Sequence, residues 1–145
     1  MAVRKADATW NGTLKGGDGT MKLGSGAFEG AFSFSTRFEE APGTNPEELI
    51  GAAYAGCFSM ALSAGLEKNG TPSTSVTTSG NVHLTPAEGG GMEISKVVLN
   101  VNATVVDIDE AKFNEIVEST REGCPIGKLL KGGTATLVIE ATLQS

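Results

Sequence analysis

Asn45-Pro46-Glu47-Glu48-Leu49-Ile50-Gly51-Ala52-Ala53-Tyr54-Ala55-Gly56-Cys57-Phe58-Ser59-Met60-Ala61-Leu62 is the stretch that decides how this chain folds. It opens as a helix start. Asn45 suits the N-cap, Pro46 the first helical position, and Glu48 stands at capping-box spacing, three residues after the cap. From Leu49 to Leu62 there is no charge, and the helical wheel is apolar nearly all round. A helix of that kind is buried on every side. The uncharged run is shorter than the roughly 20 residues a bilayer span needs, so protein has to cover it. Cys57 stands in its middle.

Working outward, the helix is expected to run to about Lys68, where Asn69-Gly70 stops it and Pro72 prevents resumption. Ahead of it, Val3 to Asn11 and Thr13 to Leu23 read as strands, with Gly12 and the Gly16 to Gly19 cluster as turn and bulge. A third strand is predicted over Ala27 to Phe38, where Phe28, Phe32, Phe34 and Phe38 share one face and Arg37 takes the other. After the helix come strands over Thr74 to Leu84 and Ile94 to Val106. Asp109 then caps an amphipathic helix ending near Gly123. Cys124-Pro125 opens a short helix through Lys131, and Thr134 to Leu143 is predicted as a last strand. The order βββ-α-ββ-αα-β predicts a single α+β domain over 1–145 with mostly antiparallel sheet. Six strands and one amphipathic helix cannot cover the central helix alone. A second copy packed through Gly51, Ala52, Ala55 and Gly56 would, so an intertwined homodimer is expected.

Bulk properties narrow the function. The net charge of −6 argues against nucleic-acid and anionic-membrane partners. No charged-then-apolar leader opens the chain, which makes the cytoplasm the default location. His83 reads as a strand residue without a ligand partner at metal spacing. Gly16-Gly17-Asp18-Gly19 lacks the Lys-Ser/Thr that would follow in a phosphate-binding loop. Neither a metal nor a cofactor is expected.

That leaves Cys57 and Cys124, far apart and outside any CxxC pair. A thiol reacts as thiolate, so the question is what lowers its pKa. An apolar helix interior raises it, and a cation must therefore be brought to Cys57. Arg37 is the best placed of the basic residues; otherwise it forms a surface ion pair with Glu39 or Glu40. Glu48 has a capping role and Glu47 does not. Ten helical residues separate Glu47 from Cys57 by about 15 Å, so if Glu47 and Arg37 act on Cys57, a partner subunit is the neatest source of both. Cys124 stands at an N-cap, where backbone N–H groups favour a thiolate; the plainer reading is a small buried residue in a turn.

Thr36-Arg37-Phe38, Gly43-Thr44-Asn45-Pro46-Glu47-Glu48-Leu49-Ile50-Gly51-Ala52-Ala53, Cys57-Phe58-Ser59-Met60-Ala61-Leu62 and Gly123-Cys124-Pro125-Ile126 resemble the OsmC/Ohr family of peroxidases, and its OsmC branch most. The resemblance runs through essentially the whole chain, from Trp10-Asn11-Gly12 onward. It implies a cysteine-based reductase of organic hydroperoxides, with Cys57 as peroxidatic and Cys124 as resolving cysteine. Arg37 would hold the Cys57 thiolate and Glu47 would orient Arg37. It implies a Cys57–Cys124 disulfide during turnover, reduced by an external dithiol such as a lipoyl-bearing protein. It also implies an intertwined homodimer with active sites at the interface. Phe58, Met60 and Leu62 are candidates for an apolar pocket beside Cys57, or for core. A non-catalytic dimeric stress or ligand-binding protein with inert thiols is the alternative. A cysteine hydrolase would lack a base, since His83 has no evident triad partner.

Overall fold

A computed structural model describes residues 1–144 of the chain. The fold is α+β, and its contacts gather into two units: Met1–Ala52 with Gly80–Val98, and Ala53–Ser79 with Leu99–Ser145.

In the first unit, β1 (Ala6–Asn11), β2 (Asp18–Leu23) and β3 (Glu29–Phe32) form an antiparallel sheet in that order. Gly19 on the middle strand pairs with Trp10 on one side and Phe32 on the other. The two rings meet over it, with centroids 5.2 Å apart. A methyl group there would run into the Thr9 carbonyl oxygen and lie 2.8 Å from the Phe32 ring and 2.9 Å from the Trp10 ring, so the β1–β2 pairing and the aromatic pair both require glycine. The strand expected over Thr13 to Leu23 starts only at Asp18. Before it, Thr13 closes a turn, accepting from Gly17 N–H through its carbonyl and from Gly16 N–H through its hydroxyl.

The third strand is also shorter than its phenylalanine pattern predicts. It ends at Phe32, and α1 (Phe34–Phe38) follows. Ser33 and Thr36 form a reciprocal capping box, each hydroxyl accepting the other's backbone N–H. Phe34 and Phe38 are four residues apart, a spacing that serves a helix face as well as a strand face, and their centroids lie 4.9 Å apart.

The central helix α2 (Pro46–Lys68) begins as expected. Asn45 Oδ1 accepts the Glu48 N–H at 2.8 Å. Glu48 contributes its backbone, while its side chain is exposed, so the capping role expected of its carboxylate falls to its N–H. Gly51 packs within the chain rather than toward a second helix. It lies against Gly80 of β4 (Ser73–Pro86), where a methyl on Gly80 would stand 2.9 Å from the Gly51 carbonyl oxygen. A turn closed by Ala87 N–H and the Gly91 carbonyl leads from β4 to β5 (Met92–Val105), its sheet partner.

The core lies in the second unit. Phe58, Leu62 and Leu66, one face of α2 at four-residue spacing, bury against Ile116 of α3 (Glu110–Gly123). Val76, Leu99, Val101, Val105, Phe113 and Val117 close around them. Asp109 caps α3 by accepting the Lys112 N–H at 2.7 Å. The last helix, α4, is Pro125–Leu130.

Two expectations fail within a single chain. The central helix is not buried all round: Ala52, Ala53, Gly56, Met60 and Ala64 are exposed, Met60 at 77 %. Thr134 to Leu143 forms no strand; Leu137, Val138, Ile139 and Leu143 stand in solvent. An alternating segment becomes a strand only where a sheet edge and an apolar face receive it. At full length α2 also matches a membrane span by length and composition: its uncharged run does not stop at Leu62 but continues to Leu66, eighteen residues in all. Core helices of folded domains meet the same criterion, and the Phe58–Leu62–Leu66 face is already such a core.

Candidate thiol site

Two local constellations hold the residues singled out from the sequence. In the first unit, α1 presents Arg37 to Glu47 in the first turn of α2. Arg37 Nη2 and Nε donate to Glu47 Oε1 at 2.8 and 3.1 Å. Glu47 is 8 % exposed and the Arg37 side chain 38 %. The alternative pairing of Arg37 with Glu39 or Glu40 is not the one formed. The guanidinium also lies 5.2 Å over the Phe38 ring, a contact that holds its plane as well as attracting its charge. Asn45 fixes the geometry between the two helices. While capping α2 it donates through Nδ2 to the Thr36 carbonyl at 3.2 Å, one residue from Arg37. That second role was not readable from the sequence, because a capping residue shows which helix it starts and not what its amide reaches.

In the second unit, α2 carries Cys57 to the start of α4. The Cys57 and Cys124 sulfurs are 2.9 Å apart and share a hydrogen bond. Both are free thiols, with Cys57 partly exposed and Cys124 fully buried. Sixty-seven residues separate them in sequence, and no spacing rule could have joined them. Burial pushes the Cys57 thiol up from its ordinary value, and the proton held between the sulfurs and the charge of a neighbouring thiolate push it further. The Ile126 backbone N–H, in the first turn of α4, opposes this by bonding to Cys57. The helix start was expected to serve Cys124. Instead the Cys124 side chain makes no capping bond to α4, and the α4 N–H serves the other sulfur.

Of the suggested pocket residues, Phe58 and Leu62 are core, and Met60 faces outward. His83 is exposed on β4. Tyr54, which the sequence reading passed over, packs beside the thiols. Its ring meets Phe58 edge-on at 6.5 Å.

An α+β chain that brings two distant thiols together and pairs a buried glutamate with an arginine has the makings of a thiol redox protein. The family model described as OsmC-like protein matches residues 39–138, and the chain belongs to that family. It is 41% identical to peroxiredoxin OsmC of Escherichia coli (strain K12), over 98% of this chain and 97% of that protein. Among solved structures, the organic hydroperoxide resistance protein OhrB of Bacillus subtilis superposes with a TM-score of 0.65 at 26% identity, covering 88% of this chain and 91% of that one. An OsmC-like protein of unknown function from Vibrio cholerae O1 biovar eltor reaches a TM-score of 0.72 at 18% identity, over 92% and 96%. That last likeness is one of fold.

Proposed function

We propose that this protein is a thiol peroxidase that reduces organic hydroperoxides to alcohols, with Cys57 as peroxidatic and Cys124 as resolving cysteine. The observation that carries the reading is the 2.9 Å approach of the two sulfurs, one partly exposed and one buried. The Cys57 thiolate attacks the terminal oxygen of ROOH and the O–O bond breaks. The alkoxide takes a proton and leaves as ROH, and Cys57 is left as a sulfenic acid. The Cys124 sulfur then attacks that sulfur, water leaves, and a disulfide remains. An external dithiol, of the kind a lipoyl-bearing protein carries, reduces it by exchange. The names of the relatives from Escherichia coli and Bacillus subtilis support this choice of chemistry and of substrate.

A thiol raised by burial is a poor nucleophile, so the first step needs a cation at Cys57. In this reading Arg37 supplies it, from the partner of a homodimer, and Glu47 orients the guanidinium. The exposed apolar face of α2, with Ala52, Gly56, Met60 and Ala64, supports a second copy as its cover. The reading treats 1–145 as one OsmC-like domain and assigns it to the cytoplasm, where dithiol reductants are maintained.

Intact mass under denaturing, non-reducing conditions tests this after one equivalent of cumene hydroperoxide. The wild type loses about 2 Da, and a sulfenic acid is trapped only in Cys124→Ser. Unchanged mass with the peroxide left intact would sink the peroxidase reading in favour of a binding protein with inert thiols.

A further inference from the structure

Gly127 is the third residue of α4, and its φ is not among the positive ones. Its backbone therefore needs no glycine, and glycine is a poor helix former. What it permits is contact. A methyl group at this position would lie 3.2 Å from Tyr54 Oη and 3.3 Å from Tyr54 Cε1, with the Arg121 carbonyl oxygen 3.5 Å away. The tyrosine ring rests where a side chain at 127 would begin.

The spacing relates this contact to the thiols. Tyr54 precedes Cys57 by three residues on α2, and Gly127 follows Cys124 by three. Residues three apart on a helix share a face, so Tyr54–Gly127 and Cys57–Cys124 bracket one turn of each segment. Phe58 backs the ring edge-on and is itself core. Tyr54 is thus anchored on one side and meets bare backbone on the other. Its phenol is raised from the ordinary value by burial first and then by the charges that thiolates at Cys124 and Cys57 would carry, with the Arg121 charge opposing them, which agrees with the proximity.

Resting on the two-cysteine reading, we infer that Tyr54 is a positioning residue: its ring, seated on Gly127, holds the first turn of α4 where Cys124 reaches Cys57. It sets the approach of one sulfur to the other and so governs the closing of the disulfide. A displacement of about 1 Å between reacting groups is enough to slow a step as much as a hundredfold.

The test separates this from peroxide chemistry by using diamide, which takes two hydrogens from a thiol pair and leaves a disulfide. Closure of Cys57–Cys124 in the reduced full-length protein is followed by quenched non-reducing mass spectrometry. Tyr54→Phe keeps the ring edge and should close within about twofold of wild type, while Tyr54→Leu and Gly127→Ala should each slow closure by about tenfold. Because the two positions form one contact, Gly127→Ala added to Tyr54→Leu should cost less than about twofold more. Wild-type closure in a Tyr54→Leu protein with native circular dichroism would overturn the inference, as would fully multiplicative effects of the two changes. If Tyr54→Leu does not fold, Gly127→Ala alone decides, and closure at wild-type rate overturns the inference. Should wild type leave cumene hydroperoxide intact while diamide reproduces the pattern, the peroxidase reading falls and the positioning role stands.

Discussion

Glu47 is the residue whose burial asks most of its partner. A carboxylate 8 % exposed is tolerable only with charge and hydrogen bonds supplied, and Arg37 gives it three hydrogen bonds, two to Oε1 and a longer one to Oε2. Arg37 is itself half-open to solvent, so removing Glu47 leaves a cation that can rehydrate. Glu47→Ala should therefore cost about 1–3 kcal/mol in thermal or urea unfolding, between the values for exposed and fully buried pairs. Peroxide consumption should fall further than that loss explains, because Arg37 is no longer held. Cys57 makes the complementary case. Burial raises its thiol, so without a cation the pH profile of its alkylation by iodoacetamide should have its midpoint above the ordinary value of about 8.5. If Arg37 acts on it in the assembled protein, the wild-type midpoint lies below that value. Arg37→Ala should then move it upward, and coincident pH profiles for the two proteins would count against Arg37 as the activating group.

At the scale of elements, legibility followed how local the determining chemistry was. The start of α2 was readable because Asn45, Pro46 and Glu48 act within one turn, and α3 was readable from Asp109 and the spacing of Phe113, Ile116 and Val117. The end of β3 was not. Phe28, Phe32, Phe34 and Phe38 fit a strand face, yet spacing of four fits a helix equally, and the reciprocal Ser33–Thr36 bonds decide the matter. Thr134 to Leu143 alternates well enough for a strand but carries no signal for what would pair with it. The same limit applies to the site. Both thiols could be singled out as residues, but their 2.9 Å approach depends on tertiary packing, and which sulfur the Ile126 N–H serves depends on it too. Packing also makes specific demands along α2. Leu66 is fully buried against α3, and Leu66→Ala should cost about 2–5 kcal/mol in equilibrium unfolding. Gly80→Ala puts a methyl 2.9 Å from the Gly51 carbonyl oxygen and should cost about 1–3 kcal/mol. Full stability in that variant would mean that α2 and β4 can separate there without loss.

For the whole molecule, the exposed face of α2 is the feature that a single chain leaves unresolved. Ala52, Gly56, Met60 and Ala64 recur every four residues and are exposed, while Phe58, Leu62 and Leu66 are core. At Gly56 an added methyl would meet nothing within 4 Å among the described residues. Small residues at that spacing allow two helices to approach closely, and a long flexible methionine between them fills irregular space. A charge placed on this face is harmless to a monomer and costly to a dimer, since it would be buried without a partner. Met60→Glu should therefore yield a folded monomer by sedimentation velocity, with native circular dichroism. Its two thiols lie within one chain, so diamide should still close the Cys57–Cys124 disulfide. Peroxide consumption should be lost, because the cation that activates Cys57 comes in this reading from the partner. A Met60→Glu protein that sediments as a monomer and still turns over cumene hydroperoxide at the wild-type rate would show that one chain activates its own thiol.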